Sequence, residues 1–530
     1  MPCGCGDNNI TMIKLKIDNI EIEVKKGTSV KDAAESIGIN IPAMCFVKGF
    51  SNSPSCMVCL VKEKNSGKLF ASCSMEVVDG MDILSEETEV KEARKDALEL
   101  LLSDHVGDCE APCSIGCPAF MNIPEMNRLI AAGKFKEALV KVKEEIALPL
   151  ILGYICSAPC EKVCRRVPID QAVSICQLKK FVAATDFDSN NSYFPAKAKG
   201  SGKRVAIIGS GPAGLACAFY LTIEGHDCVI FDKNTAAGGS LRNIPESELP
   251  KQALNEEINY IKNYGVEFKL DQNVSLDYFE KIKKEFDAVV LAIGDHKVLP
   301  ETEPKDNFEK VNLLKDKDTF ETNLIGVFAC GSFVRKQNMA VKAVAQGKLA
   351  ASSVNKFLSG FKPEKTQRMF NSKFGKLQPE EFDEYLKEST KDQRYIPKNG
   401  FLDGFTSEEA ISEAKRCMHC DCRKIDNCKL RLFSDEYKVD RRTYLSSERK
   451  SIKKYNNHES IVYEPEKCIK CGLCVEITKN EKELTGLAFV GRGFDVRIDI
   501  PFSRSMNDAL TKTAAKCADA CPTGAISFRK

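Results

Sequence analysis

Cysteine is the residue with most chemistry to offer in this chain: 25 in 530 residues, against five histidines and no tryptophan. Most of them stand in groups. Cys45, Cys56, Cys59 and Cys73 are spaced C-x10-C-x2-C-x13-C. Cys109, Cys113 and Cys117-Pro118 are followed, after a helical stretch, by Cys156, Cys160 and Cys164. Cys417, Cys420, Cys422 and Cys428 read CxxCxCx5C, and Cys468, Cys471 and Cys474 pair with a distant Cys521-Pro522. A large chain in a reducing compartment keeps its thiols free, so such groups read as metal ligands rather than a disulfide framework. Zinc sites come as isolated fours; repeated groups, two of them ending in Cys-Pro, favour iron–sulfur. Four thiolates serve the two irons of a [2Fe–2S] cluster, and CxxCxxC with a distant Cys-Pro is the ligand set of one ferredoxin [4Fe–4S] cluster. The tight third group also suits tetrahedral zinc, and that alternative stays open.

A second chemistry sits in VAIIGSGPAGLACAFYL followed by CVIFD. Gly209, Gly211 and Gly214 spell GxGxxG between a strand and a helix. The first glycine allows the turn, the second lets backbone approach a pyrophosphate, and the third lets helix pack on strand. The intervening Ser210, Pro212 and Ala213 open the helix, whose N-terminus favours the anion. Asp232, followed by Lys233 at the end of the second strand, would hold an adenosine ribose.

The elements that must position these residues follow from periodicity. MIKLKI and IEIEV alternate, which predicts a two-strand ribbon, with a helix at Ser29 to Ile37. A charged amphipathic helix runs from Glu89 to Leu102, and Pro124 to Glu145 is helical by its apolar spacing. DFDSNNSYFPAKAKGSGK has linker chemistry. DAVVLAIG and GVFACG are buried strands, Asn338 to Phe357 is a long helix, and EEAISEAKR is a helix that presents the third group. The charged stretch from Lys362 to Gly400 reads as a mostly helical surface connection. The length suggests about three or four domains. The expected fold class is multidomain α/β plus small iron–sulfur domains, divided at 11–85, 86–185, 203–360, 361–430 and 431–530.

Lys and Arg number 77 against 75 Asp and Glu, so the field offers nothing to a polyanion and no nucleic-acid partner is expected. No apolar run is long enough to span a bilayer, and MPCGCGDNN lacks the marks of a secretory signal, so a cytoplasmic protein without an integral membrane segment is expected.

Several segments resemble known families. The first group, with VDGMDI after it, resembles the [2Fe–2S] domain of the complex I large iron–sulfur subunit, of [FeFe]-hydrogenases and of formate dehydrogenases. CSAPCEKVC resembles the double [4Fe–4S] domain of the glutamate synthase small subunit and of dihydropyrimidine dehydrogenase. That resemblance implies one cluster on Cys109, Cys113 and Cys164 and another on Cys117, Cys156 and Cys160, each one ligand short. His105 lies where that family has its first cysteine, and HxxxC resembles a histidine-ligated cluster of complex I; it is a candidate ligand or an ordinary surface or core histidine. Where the family has Gln or Glu the chain has Lys179, which cannot ligate while protonated. Nearby Cys176 is the candidate, with a small buried apolar role as its alternative.

GGSLRNIP and IGVFACGS resemble flavin-proximal segments of the glutamate synthase family. The resemblance implies FAD and brings in Gly239, Ser240, Arg242, Gly294, Gly331 and Ser332, the last standing where Asp is usual. Roughly thirty residues, without a glycine fingerprint, separate the strands between which that family holds NADPH, about the length of a single βαβ unit. A second nucleotide domain is therefore not expected. The end of the chain resembles the ferredoxin-type domain of complex I and hydrogenase subunits with one cluster lost. Cys217, Cys228, Cys330 and Cys517 then fall to the core, and Cys3 and Cys5 stay unassigned.

The implied architecture is a β-grasp [2Fe–2S] domain, an α-helical double-cluster domain, a single Rossmann-like FAD domain and a ferredoxin-like end. The implied cofactors are FAD, one [2Fe–2S] and about three or four [4Fe–4S] clusters. The expected function is an electron-transfer subunit of a larger anaerobic oxidoreductase, partnered with other redox subunits such as hydrogenase or formate dehydrogenase and with ferredoxin, possible bifurcation included. The rivals are a self-sufficient NAD(P)H-dependent reductase and a zinc-stapled binding module. No Ser, His or carboxylate constellation suggests independent acid–base catalysis.

Overall fold

The computed structural model describes residues 11–50, 54–189, 192–294, 316–336, 338–444 and 449–529. The segment expected to close the nucleotide fold, DHKVLPETEPKDNFEKVNLLKDKDTFETNL, lies largely outside them. Two compact units result. One gathers residues 1–110, 369–388 and 420–530, the other 111–368 and 389–419.

In the first unit, Met12–Ile17 and Ile20–Lys25 form the expected ribbon around Asp18 and Asn19, both at positive φ as a tight hairpin turn requires. Asp82–Leu84 pairs parallel to Met12–Ile17, and Leu60–Glu63 and Leu69–Ala71 complete a five-stranded sheet. The helix Val30–Ser36 starts where the Ser29 side chain accepts from Asp32 N–H, and packs Val30 and Ala33 against Leu15, Ile17, Val61 and Ile83. Thr88–Asp104 is one helix ending immediately before His105. Towards the C-terminus, Ile461–Tyr463 pairs antiparallel with Ile526–Phe528, and the helices Leu473–Asn480 and Ala514–Ala520 bury Ile477 and Ala518 beside them.

The second unit joins a helical cluster to a parallel sheet. Pro124 to Glu145, expected as one helix, is two, Ile123–Ala131 and Phe135–Lys143, because Gly133 turns the chain at φ +74°. Five parallel strands follow in the order Val327–Ala329, Ala288–Leu291, Arg204–Ile208, Asp227–Phe231, Glu267–Lys269. The sheet's strands are apolar nearly throughout, as burial on both faces demands. Pro212–Ile223 and Ala340–Leu358 lie so close that a Cβ on Gly347 would come 2.3 Å from Ala213 O.

Residues 362–400 differ from expectation: their one helix is Glu381–Leu386. A charged stretch without an apolar stripe has nothing to hold a longer helix on a core. Instead its backbone is satisfied by neighbours within the first unit: Cys109 N–H donates to Ser372 O at 3.1 Å and Phe374 N–H to Asp108 Oδ1 at 3.0 Å. Nor is this part all surface. Glu381 is buried, and its carboxylate takes the Arg449 guanidinium and the Ile452 N–H.

Candidate functional site

The first cysteine group converges as its spacing suggested. Cys45, Cys56, Cys59 and Cys73 are all buried, Cys59 and Cys73 packing under the N-terminal sheet and Cys45 and Cys56 beside the helix Thr88–Asp104. Their sulfurs hydrogen-bond one another, Cys45 to both Cys56 and Cys73, and Cys73 also to Cys59. Those bonds pull Cys45 and Cys59 below the ordinary thiol range and push Cys56 and Cys73 above it. Backbone N–H groups of Cys56 and Ser55 point at Cys45 and those of Val58 and Met44 at Cys56. Buried sulfurs that face one another and receive amide protons fit a small anionic iron–sulfur group.

The fourth group lines a cavity. Cys468, Cys471, Cys474 and Cys521 face it together with Tyr463, Leu473, Ile498 and Ile526. Lys470 N–H donates to Cys468 Sγ at 3.3 Å and Ile526 N–H to Cys521 Sγ at 3.5 Å. Burial, with the Cys521 thiolate adding to it, pushes Cys468 up to about 12. The four sulfurs and their apolar surroundings fit a ferredoxin-type cluster. Lys424, which no spacing rule marks, secures the wall: its Nζ donates to Ala518 O and Cys521 O, each at 2.7 Å. Cys517, set aside from the sequence, is fully buried behind Cys474 O. Cys217, Cys228 and Cys330 are buried in the second unit's core.

In the second unit Cys176 is brought to Cys156 and Cys160, its sulfur hydrogen-bonding with both. Burial works against the Lys179 ammonium, yet the thiolates of Cys176, Cys156, Cys160 and Cys117 together raise it. Lys179 thus lies within electrostatic reach of four cysteines, its Nζ donating to Leu152 O at 3.2 Å. Cys113 and Cys164 are half-buried against the same core that contains Cys417. A Cβ on Gly116 would meet Val163 Cγ2 at 2.5 Å, so the helices Pro112–Gly116 and Pro159–Lys162 touch at a glycine.

Cys109 belongs to the first unit, and its neighbours there come from the third group. Cys422 N–H donates to Cys109 O at 3.1 Å, and Cys428 lies within electrostatic reach of both thiols. His105 is buried, its Nδ1 3.2 Å from Lys467 O. Burial, helped by the Lys467 charge, lowers the imidazole to about 4. Of the remaining third-group residue, Cys420 is half-buried in the first unit. Among the described residues no three His, Cys, Asp or Glu side chains are drawn as tightly as a single ion requires. Thiols serving a four-iron cluster stand farther apart, around its outside.

The glycine motif is built from backbone. A Cβ on Gly209 would lie 2.4 Å from Ala292 O and one on Gly214 2.0 Å from Gly209 O, whereas Gly211 faces open space. This is the cradle that a pyrophosphate needs: two glycines closing the turn, one leaving room. Asp232 is buried and accepts from Ser210 N–H and Oγ, at 2.7 and 2.5 Å, and from Asn234 N–H and Nδ2, at 2.9 and 2.8 Å. Pro212 and Ala213 open the helix; Lys233 and Ser240 are exposed. Gly239 crosses so close that its Cβ would meet Gly211 Cα at 2.9 Å, and Arg242 is fixed by Ala237 O and Asn255. Gly294, at φ +82°, lies beyond the end of the strand Ala288–Leu291, immediately before the undescribed segment. Gly331 N–H donates to Gln346 Oε1 at 3.0 Å, and Ser332 is half-buried beside it.

Comparison with known proteins matches four regions of the chain. Residues 11–88 match a 2Fe-2S iron–sulfur cluster binding domain, and 85–191 match dihydropyrimidine dehydrogenase domain II with its 4Fe-4S cluster. Residues 207–267 match an NAD(P)-binding Rossmann-like domain and 461–528 a 4Fe-4S single cluster domain. The chain is 38% identical over 196 residues to the NADPH-Fe(3+) oxidoreductase subunit beta of Geobacter sulfurreducens, covering 36% of this chain and 29% of that one. It is 36% identical over 211 residues to the NADP(+)-dependent formate dehydrogenase subunit beta of Moorella thermoacetica, covering 35% and 30%. To the glutamate synthase [NADPH] small chain of Bacillus subtilis it is 35% identical over 202 residues, covering 36% and 41%. The alignments thus span less than half the length of each relative. Among the described residues no helix is long and apolar enough to cross a membrane. Region by region the chain thus resembles 2Fe-2S, 4Fe-4S and Rossmann-like nucleotide-binding domains, and over about a third of its length it is similar to the glutamate synthase small chain and the NADPH-Fe(3+) oxidoreductase subunit beta.

Proposed function

We propose that this chain is an electron-transfer subunit of a larger anaerobic, cytoplasmic oxidoreductase complex, passing electrons between FAD and a series of iron–sulfur clusters. The observation that carries the reading is the cavity walled by Cys468, Cys471, Cys474 and Cys521, with backbone N–H groups aimed at its sulfurs. Within an electron-transfer chain, a buried one-electron centre hands its electrons to further centres close by. The N-terminal thiols and the set around Lys179 supply them.

The N-terminal sheet with its one crossing helix has the strand order of a β-grasp [2Fe–2S] domain, and the five-stranded parallel sheet is Rossmann-like. The helical section is read as the double-cluster domain and the end of the chain as ferredoxin-like, along the divisions given above. Bound FAD would supply the exchange between electron pairs and single electrons. The chain's own part would be to hold and shield: Gly211 leaves room at the turn, the amides that open Pro212–Ile223 would receive the pyrophosphate, and Asp232, which fixes Ser210 and Asn234, would hold the ribose. Buried sulfurs keep water from the metal. Partners of the hydrogenase or formate dehydrogenase kind, and ferredoxin, are the expected donors and acceptors.

A second reading, an NAD(P)H-dependent reductase, is favoured by the NAD(P)-type match at 207–267 and by the NADPH in the relatives' names. Anaerobic purification followed by iron, sulfide, zinc and flavin analysis tests the first reading. A zinc-bearing, colourless chain would end it. Rapid bleaching of the flavin by NADPH in the isolated chain would favour the second.

A further inference from the structure

We propose that His105, Cys109, Cys422 and Cys428 form a single four-ligand iron–sulfur site, so that the CxxCxCx5C group is divided and holds no cluster of its own. This rests on the iron–sulfur reading above and changes how its ligands are shared out. Adjacent cysteines in a motif ordinarily suggest a common cluster. Here the backbone says otherwise: Cys422 N–H donates to Cys109 O at 3.1 Å across more than three hundred residues of sequence. That bond sets two buried cysteines side by side within one compact unit.

Cys428 is buried as well, packed with Met44, Leu98 and Leu102, and none of the three thiols is in a disulfide. It is the N-cap of the eight-residue helix Lys429–Glu436, and the Lys429 N–H beside it donates to Pro522 O at 2.9 Å. Ser372 N–H donates to Cys109 Sγ at 3.4 Å. That amide on a buried sulfur matches the arrangement at Cys468 and Cys521. Crowding confirms how close the walls stand: a Cβ on Gly524 would sit 2.2 Å from Cys422 Sγ.

Three thiols leave a cubic cluster one ligand short, and His105 completes it. A carbonyl oxygen can only accept, so the contact between Nδ1 and Lys467 O places the ring proton on Nδ1 and leaves the Nε2 lone pair as donor to metal. Metal-bound histidines are held in this way, by a hydrogen bond from the other nitrogen. Lys467 ties the imidazole to the thiols. Its Cε would touch a Cβ on Gly107 at 2.9 Å, between His105 and Cys109, and its Cδ lies 3.7 Å from the same Gly524 position that crowds Cys422.

The test uses the full chain, purified without oxygen, with iron and acid-labile sulfide counted and the reduced protein examined by electron paramagnetic resonance. Cys109→Ser and Cys422→Ser are each expected to lose the four irons of one cluster and the same resonance, and the double variant is expected to lose no more. Loss of a second cluster in the double variant would overturn the proposal. Cys517→Ser, a buried thiol outside the set, should keep the full count and controls for general damage. Should the serine variants fail to fold, the parent protein labelled with 15N-histidine decides the matter. A nitrogen coupled directly to a reduced cluster, and lost in His105→Ala, is expected; its absence overturns the four-ligand set. A parent chain with full iron and sulfide whose double variant loses two clusters leaves the electron-transfer reading standing, whereas a parent devoid of sulfide removes both.

Discussion

The thiol cavity of the first unit and the glycine cradle of the second are built by opposite means. In the first, the cavity at Cys468 to Cys521 is made of side chains: four soft sulfurs, two of them, Cys468 and Cys521, steadied by an amide. In the second, the glycine cradle is made of backbone, and its shape comes from how closely strand, turn and helix approach. A side-chain site is completed by its metal, because buried thiols repel one another once ionised and the iron supplies the opposing charge. A backbone site is complete beforehand. Removal of the ligand should therefore cost the thiol cavity structure and the glycine cradle only affinity.

The sharpest way to break this contrast is Cys474→Ser. Anaerobic iron analysis should show the loss of the four irons of one cluster, with the [2Fe–2S] signal untouched. Hydrogen exchange should rise in Leu473–Asn480 and Ala514–Ala520, which pack around that wall, and stay unchanged in Pro212–Ile223. Equal protection in both would remove the distinction between the units.

A pH series separates them further. Glu257 on the helix Lys251–Asn263 is buried and accepts from Leu150 and Ile151 N–H, at 2.8 and 2.7 Å, at the start of the helix that leads to Cys156. Burial pushes its carboxyl up to about 7, against those two bonds. The folded state thus binds an extra proton, so its contribution is present below about 4.5 and lost as pH rises through about 7, an effect on the order of 3 kcal/mol. Glu257→Gln cannot titrate. Its stability relative to the parent should improve by up to about that much between pH 5 and pH 8, read from exchange in Pro149–Ile155. Parallel pH dependences in variant and parent would contradict this.

Within the cradle, two glycines that look alike in sequence should behave differently. Gly214→Ala drives a methyl into Gly209 O, where neither side can yield, and should cost about 1 to 3 kcal/mol in urea unfolding. Gly211 has φ −70° and open space around it, so Gly211→Ala should leave stability within about 0.5 kcal/mol. It should still lower flavin retention on desalting, since the methyl enters the room reserved for the ligand. Similar flavin retention in parent and Gly211→Ala would mean that the open face is not where the pyrophosphate lies.

How much of this could be read from the sequence follows the same division. Cys468, Cys471 and Cys474 run from one loop into the first turn of Leu473–Asn480, and the GxGxxG residues from one turn into Pro212–Ile223, so local spacing carried nearly all the geometry. The pairing of Cys109 with Cys422 left no trace in either motif, because a hydrogen bond between distant segments has no period. Cys176 was reachable only through the oddity of Lys179, a cation whose place becomes intelligible once four cysteines lie within its electrostatic reach. The stretch after Lys362 misled for a related reason: charge suggested a solvated helix, but Glu381 and Arg449 pair inward and the backbone bonds to residues 108–109.

The smallest effect concerns how the third group is presented. Ser407–Ala414 begins with a capping box: the Thr406 hydroxyl accepts from Glu409 N–H at 3.3 Å and the Glu409 carboxylate accepts from Thr406 N–H at 3.0 Å. That helix carries Ala410 and Ala414 into the core beside Cys417, and Glu413 from its last turn reaches Ser174 N–H at 2.7 Å, one residue before the helix bearing Cys176. Thr406→Ala removes one half of the box and should cost about 1 kcal/mol. Because the fault lies at the far end of the helix from Cys417, frayed amides should be confined to Ser407–Ala410, while iron content stays at the parent value. Iron loss in this variant would mean that the metal depends on the second unit's helix end as heavily as on its own thiols, and the contrast between side-chain and backbone sites would narrow accordingly.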